Sequence, residues 1–172
     1  MKKPAVTQLI DMLDKPALLR WANRQGLAGI DIAEERKRTK SLGSSMHEQI
    51  ESRQFIDPEH ARNFDRFTRD KEIVGLEGKI ETEWFVGRYD AKIRWRGLTY
   101  LVDYKRSMSV YFETKLQLVA YAMAEPCDRL AVVSTPEFAL MESGITDRSK
   151  YEQILIALSK IYTLRKQIEA GQ

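Results

Sequence analysis

The stretch at residues 98–105, Leu-Thr-Tyr-Leu-Val-Asp-Tyr-Lys, constrains the fold and the chemistry of this chain more than any other. Its β-branched, aromatic and aliphatic residues are typical of a buried strand, and that strand ends in a carboxylate and an ammonium. Successive side chains of a strand point to opposite faces, so Asp103 and Lys105 are predicted to share one face. Such a pair, with one further acid nearby, can hold a divalent cation beside a phosphate.

Two more strands are predicted immediately before this one, at residues 79–86 and 89–96. The region is rich in Val, Ile, Thr, Tyr and Trp, with glycines at the breaks. Arg96-Gly97 predicts a tight turn, which makes the second and third strands antiparallel neighbours. Asp90 and Asp103 would then lie close together, at the end of the hairpin away from that turn.

Helical patterns occupy most of the rest of the chain. The predicted helices are two short ones within 7–25, a charged one at 31–40, one capped by Ser44 or Ser45, one from Asp57-Pro58 to about residue 72, one at 112–124 and one from Thr146 or Asp147 to about residue 170. In the last helix, five apolar residues are predicted to face inward: Leu155, Leu158, Ile161, Leu164 and Ile168. Two more strands are predicted at 129–134 and 137–141. This order predicts an α/β fold with a mixed central sheet, comprising an antiparallel three-strand meander, a crossover helix and further strands, flanked by helices.

The composition fits one domain of 172 residues, with a mainly helical part at 1–72 and a sheet core with a C-terminal helix at 73–172. A net charge of +3 and a pI near 8.9 permit a nucleic-acid partner. Cys127 is the single cysteine, which excludes an internal disulfide and a self-contained cysteine cluster. No apolar run is long enough for a membrane span. We therefore expect a cytoplasmic protein with no membrane partner.

Four short motifs follow one another along the chain: Gly43-x-x-x-His47, Gly87-x-x-Asp90, Asp103-Tyr104-Lys105 and Gln117-x-x-x-Tyr121. Their order and spacing resemble those of the PD-(D/E)XK nuclease superfamily. Within it, the chain resembles the RecB-like branch. Its opening, Val6-Thr7 through Lys15-Pro16-Ala17-Leu18 and Trp21-Ala22, is similar to phage-encoded exonucleases related to the mitochondrial genome maintenance exonuclease. The resemblance implies a restriction-endonuclease-like core.

The resemblance also implies a role for each motif residue. The catalytic residues would be Asp90, Asp103 and Lys105, with Lys105 positioning and activating the attacking water. The ligands of Mg²⁺ or Mn²⁺ would be His47, Asp90, Asp103 and the main-chain carbonyl of Tyr104. An additional upstream acid would be Glu81 or Glu83. The DNA cleft would be lined by Gln117, Tyr121, Arg106 and Lys115. No iron–sulfur cluster of the kind found in some relatives is expected, because Cys127 is alone.

A second arrangement of the same kind lies within the same region. Glu77, Asp90 and Lys92 repeat the spacing of the preferred acids and lysine. The preferred set is favoured because an apolar run leads into Asp103 as a buried strand. Glycines at 75 and 78 are expected to weaken the strand that leads into the earlier set.

These features together predict a metal-dependent DNA exonuclease that acts on DNA ends or single-stranded flaps in phage-type recombination, replication or repair. Its partners would be DNA and phage or host recombination and replication proteins. Tyr104, Tyr111 and Tyr121 are candidates for stacking on splayed bases, whereas Phe112 is predicted to lie in the core. Two alternatives stay open: a non-catalytic nucleic-acid-binding module on the same fold, and a structure-specific or sequence-specific endonuclease.

Overall fold

A mixed sheet forms the centre of the molecule, whose computed structural model describes residues 2–14, 16–106 and 109–171. Within these ranges the strands are β1 (Glu72–Glu81), β2 (Val86–Trp95), β3 (Leu98–Lys105), β4 (Arg129–Ser134) and β5 (Leu140–Glu142). They lie side by side in chain order. The first three are antiparallel neighbours, β3 and β4 are parallel, and β4 and β5 are antiparallel. The predicted mixed sheet with a three-strand meander is confirmed.

The helices cover both faces of this sheet. In the described residues they are α1 (Val6–Ile10), α2 (Pro16–Leu27), α3 (Ile32–Ser52), α4 (Pro58–Thr68), α5 (Phe112–Ala122) and α6 (Arg148–Glu169). Of these, α5 is the crossover that makes β3 and β4 parallel, as the sequence predicts. None of the helices in the described ranges is long and apolar enough to cross a membrane.

Each face of the sheet has its own apolar core. On one face, α1, α5 and α6 bury residues such as Leu9, Leu116 and Leu155 against Leu101. On the other face, α3 and α4 bury a separate cluster against β2, β3 and β4. Its largest members are Phe64, Phe67, Tyr100, Tyr104 and Phe138, and Met46 and Ile50 of α3 pack with them. The sheet is therefore sandwiched between two helical layers, and both layers reach the same end of β2 and β3.

The turn between β2 and β3 is the two-residue one that Arg96-Gly97 predicts. Both residues have positive φ, 51° for Arg96 and 78° for Gly97, and Trp95 pairs with Leu98 across them. Positive φ at both central residues is the mark of a type I′ turn, whose twist matches that of the strands. The turn fixes the register of the hairpin, and with it the position of Asp90 relative to Asp103.

The first strand begins earlier than predicted. We expected a helix to about residue 72 and a strand at 79–86, but α4 ends at Thr68 and β1 occupies Glu72–Glu81. The glycines within β1 do not weaken it, because the Tyr89 ring of β2 lies across them. A Cβ on Gly78 would lie 2.1 Å from Cζ of Tyr89. Glycine is needed there so that the ring can lie against the strand.

The predicted break between two helices at residues 40–45 is wrong, because α3 is continuous from Ile32 to Ser52. Asp31, not Ser44 or Ser45, is the N-cap, and its carboxylate accepts from the main-chain N–H groups of Ala33 and Glu34. Gly43 lies in the helix interior, where glycine costs about 1 kcal/mol relative to alanine without breaking the helix. Outside the helix's own backbone, a Cβ added there meets no atom of the described residues within 4 Å.

The last helix buries only part of its predicted apolar stripe. Asp147 caps α6, and Leu155 and Leu158 are buried, but Ile161, Leu164 and Ile168 are 53%, 58% and 76% exposed. The physical reason is direction around the helix axis. The inward line runs from Leu155 and Leu158 to Tyr162, which still packs on the core. At about 100° per residue, the three exposed residues lie roughly 90° or more away from that line.

Two smaller predictions also differ from the structure. Phe112, expected in the core, is 48% exposed and contacts the ring of Tyr151 at the surface. It is the first residue of α5, and the buried residues of that helix begin at Thr114. The final strand is Leu140–Glu142 rather than 137–141, and Phe138, just before it, has a positive φ of 56°.

Candidate metal centre at the end of the sheet

The candidate site begins where β2 and β3 separate. Their main-chain pairing runs from Trp95–Leu98 to Ala91–Val102. One position further, the Asp90 side chain replaces a main-chain acceptor: its Oδ2 accepts a hydrogen bond of 2.7 Å from the N–H of Tyr104. Asp90 is only 8% exposed. This carboxylate is therefore fixed between the two strands, where both helical layers can reach it.

Three side chains from three elements converge at this point. His47 of α3 places its Nδ1 3.4 Å from Oε1 of Glu77 on β1 and 3.7 Å from Oδ1 of Asp90 on β2. One ligand atom from each of the three lies within 4.8 Å of the other two. One imidazole and two carboxylates at these separations can surround a single divalent cation.

Glu77 was not among the ligands that the sequence predicts. Its backbone has a φ of 49°, in the left-handed region that glutamate rarely adopts. Its other oxygen, Oε2, lies 2.7 Å from Nε of Arg88. The irregular backbone thus brings the carboxylate into the site, and Arg88 holds it there. The only sequence signal for it was the spacing of Glu77 and Asp90, which we interpreted as part of the disfavoured arrangement.

The upstream acids predicted in its place are not part of this group. Glu81 lines the same cleft but forms an exposed ion pair of 2.6 Å with Lys3, and Glu83 is exposed in the turn between β1 and β2. Glu81 is four residues beyond Glu77, so it shares the same face of the strand but lies about 13 Å further along it. Glu77, rather than Glu81 or Glu83, is therefore the acid that joins His47 and Asp90.

Asp103 and Lys105 form an ion pair on the α5 side of the site. Lys105 Nζ lies 2.7 Å from Oδ2 of Asp103. Asp103 is fully buried, and among the described residues no donor reaches either of its oxygens in hydrogen-bond geometry. The two side chains lie on the same face of β3, as the sequence predicts. Asp103 nevertheless lies outside the compact group of His47, Glu77 and Asp90, so that group has Glu77 where the sequence predicts Asp103.

The lysine is also linked to α5 through the predicted glutamine–tyrosine motif. Lys105 Nζ donates to Oε1 of Gln117 at 3.2 Å, and the Gln117 amide donates to the hydroxyl of Tyr121. Gln117 and Tyr121 are one turn apart and therefore lie on the same side of the helix. The arrangement fixes the ammonium from two directions, by a carboxylate on its own strand and by an amide on the covering helix.

The buried charges shift the pKa values of Asp90 on β2 and Lys105 on β3. Burial raises the pKa of Asp90 well above its usual range, and the neighbouring Asp103 raises it further, against the hydrogen bond from Tyr104 and the charge of Lys105. Burial acts to lower the pKa of Lys105, but Asp103 and Asp90 outweigh it, so the pKa is raised. Lys105 is therefore an ammonium at neutral pH.

The remaining predicted residues lie at different depths. Arg106 is exposed and Lys115 is half-buried on α5. Tyr104 and Tyr121 are only 4% and 2% exposed, so their predicted stacking on bases is wrong, whereas Tyr111 is exposed. Lys92, the lysine of the disfavoured arrangement, forms an ion pair with Glu125 at the end of α5.

An open cleft of about 810 Å³ leads to the three ligands. Its walls include His47, Glu77 and Asp90, the Gln117–Tyr121 pair, the start of α1, and two cationic side chains, Lys79 and Arg88. Cations beside the acids give the cleft places for an anionic group. The centre is therefore accessible to a substrate larger than the ion itself.

Comparison with known proteins adds little to this geometry. No protein-family model matches the chain, and no curated protein is similar to it. A solved structure titled "Crystal structure of SSO0001" is similar, with a TM-score of 0.46 and 18% sequence identity, over 93% of this chain and 76% of that one.

Proposed function

We propose that this protein is a divalent-metal-dependent deoxyribonuclease of the PD-(D/E)XK type, with a restriction-endonuclease-like sheet. It hydrolyses phosphodiester bonds as an exonuclease, at DNA ends or single-stranded flaps. The observation that carries this proposal is the convergence of His47, Glu77 and Asp90 within 4.8 Å, next to a lysine that is ion-paired with buried Asp103. Three ligand side chains around one point in an open cleft, one of them a buried carboxyl with a raised pKa, have the features of a functional site.

The donor set fits a cation of the Mg²⁺ or Mn²⁺ class. Carboxylate oxygens suit hard divalent cations, and an imidazole is acceptable to Mn²⁺. The burial of Asp90 and Asp103 supports the same conclusion, because two adjacent carboxylates taken out of water lack enough positive charge among the described neighbours. His47, Glu77 and Asp90 would hold the ion, with Asp103 next to them. When bound, such an ion polarises a phosphoryl oxygen and lowers the pKa of water.

The other side chains at the site stabilise charge and bind the substrate. Lys105 is protonated, so it donates hydrogen bonds and stabilises the negative charge that develops on the phosphate, rather than accepting a proton from water. Asp103 and Gln117 hold its ammonium in place. Lys79 and Arg88 lie in the cleft wall, where they can contact phosphates on either side of the bond that breaks. Water attacks phosphorus and loses a proton to solvent, the bond to the leaving oxygen breaks, and that oxygen takes up a proton. The products are one phosphate end and one hydroxyl end.

A digestion with Mg²⁺ or Mn²⁺ tests this proposal. The substrates are linear and circular DNA, each single-stranded and double-stranded, with EDTA and the variant Lys105→Ala as controls. Loss of linear DNA alone supports an exonuclease, and cutting of circles supports an endonuclease. Absence of cleavage, with salt-sensitive DNA binding retained, would instead support the binding module.

A further inference from the structure

The Tyr104 side chain is an unusual component of the second core. It is only 4% exposed, and its hydroxyl oxygen is buried without a hydrogen-bond partner among the described residues. Burying an unpaired hydroxyl is unfavourable, and proteins usually satisfy such groups. A phenylalanine would fill the same space without this cost, so the hydroxyl calls for a separate explanation.

The tyrosine contacts the candidate metal centre in two ways. Its main-chain N–H holds Asp90 at 2.7 Å. Its ring packs edge-to-face against the His47 imidazole, with ring centroids 6.0 Å apart and an angle of 86° between the planes. On the other side, the ring packs against Phe138 at 6.3 Å. Tyr104 therefore supports two of the three ligands at once, from the side opposite the cleft.

The hydroxyl is also within electrostatic reach of the acids. Burial raises the pKa of Tyr104, and the charges of Asp90 and Glu77 raise it further. A phenol O–H near a carboxylate is a natural donor to it, and a charge-assisted bond of this kind is stronger than one between neutral groups. Side chains that orient metal ligands in this way commonly affect metal affinity.

We propose that Tyr104 is a positioning residue of the metal centre. Its ring sets the orientation of His47, and its hydroxyl supplies a hydrogen bond to a carboxylate of Asp90 or Glu77 when those groups turn toward a divalent cation. This inference rests on the proposed metal site and adds a residue to it. It gives the buried hydroxyl a role that a phenylalanine could not fill.

The test is Mn²⁺ titration by calorimetry, with thermal unfolding in EDTA, on the wild type, Tyr104→Phe and Tyr100→Phe. Tyr100 is a matched control because it lies on the same strand and face, is equally buried, and has its hydroxyl bonded to Glu142 at 3.3 Å, away from the centre. For Tyr104→Phe we expect an unchanged or higher unfolding temperature without metal and an Mn²⁺ affinity weaker by about tenfold or more. For Tyr100→Phe we expect unchanged affinity.

Each other outcome overturns the inference. An Mn²⁺ affinity of Tyr104→Phe equal to that of the wild type would show that the hydroxyl does not act on the ligands. A lower unfolding temperature in EDTA would show that it has a structural partner instead. If the wild type binds no Mn²⁺, the proposed metal site fails as well, so the wild-type titration separates failure of the function from failure of the role of Tyr104.

Discussion

Asp90 and Tyr104 are joined by a 2.7 Å hydrogen bond from the main-chain N–H of the tyrosine to the aspartate carboxylate. The carboxylate thus serves the sheet, by continuing the pairing of β2 and β3 beyond Ala91–Val102. It also serves the candidate metal centre, through its other oxygen, which lies 3.7 Å from His47. Because the same side chain takes part in both, the stability of the two strands and the charge at the candidate metal centre depend on each other.

We expect Asp90→Asn to stabilise the metal-free protein at pH 7. Asparagine keeps an oxygen to accept from Tyr104, but it removes a buried charge that faces Asp103. Because the pKa of Asp90 is raised, its folded form binds a proton more tightly than its unfolded form, and the stability it provides is lost as the pH rises above about 4. The expected gain is about 1 kcal/mol, measured by thermal unfolding in EDTA.

The same variant should lose its response to metal. Wild-type protein with Mn²⁺ at a hundred times its Kd should gain about 2.7 kcal/mol in the free energy of unfolding, and Asp90→Asn should gain far less. A lower unfolding temperature of Asp90→Asn in EDTA would contradict the view that the Asp90 charge opposes folding.

The proposed role of Glu77 as a metal ligand can be tested by comparing it with Glu81 on the same strand. Glu77→Gln should weaken Mn²⁺ binding by at least roughly tenfold, because a neutral amide is a poorer ligand than a carboxylate. Glu81→Gln should leave it unchanged, since Glu81 forms an exposed pair with Lys3. Calorimetric titration of both variants provides the measurement. Equal losses would mean that a general decrease in negative charge, rather than a specific ligand, governs binding.

Lys105 and Lys92 form a second matched pair. Lys105→Ala should decrease cleavage by about 10² or more, because the residue is proposed to stabilise the developing charge, while Mn²⁺ affinity changes little. Lys92→Ala should leave cleavage within a few-fold of the wild type, since its partner is Glu125. Initial rates on the preferred DNA substrate distinguish the two. Loss of activity in Lys92→Ala alone would favour the arrangement of Glu77, Asp90 and Lys92.

Identical substitutions at two glycines should have opposite effects. Gly78→Ala places a Cβ 2.1 Å from the buried Tyr89 ring and should destabilise the protein by about 1–3 kcal/mol. Gly43→Ala lies in the middle of α3 with open space around it, and should stabilise by up to about 1 kcal/mol. Denaturant unfolding of the two variants measures both values. A stabilised Gly78→Ala would show that the Tyr89 ring can move aside freely.

Local and strongly patterned features of the fold could be predicted from the sequence. The Arg96-Gly97 turn is encoded by two adjacent residues, and the apolar run before Asp103 identifies its strand. The helix–meander–crossover order then follows from short-range periodicity. The motif names His47 as a site candidate, and the structure places it beside Glu77 and Asp90. The helix around it was not predicted correctly, because it continues through the glycine at position 43.

The remaining details depend on three-dimensional contacts that no local pattern specifies. Glu77 enters the site through a left-handed backbone conformation that glutamate does not favour. Gly78 is accommodated in a strand because the Tyr89 ring of the neighbouring strand lies against it. Ile161 and Leu164 flank an inward residue, Tyr162, but the neighbouring elements decide which face of α6 packs on the core.

Asp90 contacts both the neighbouring strand and His47, and this affects what a substitution at position 90 in a relative or variant means. A descendant selected for folding alone would still need an oxygen acceptor at position 90 between the diverging strands, and asparagine would supply it without a buried charge. Lys105 would be kept for a different reason, because it is the cation that pairs with fully buried Asp103. A carboxylate at position 90, rather than an amide, is therefore the feature that folding alone does not require.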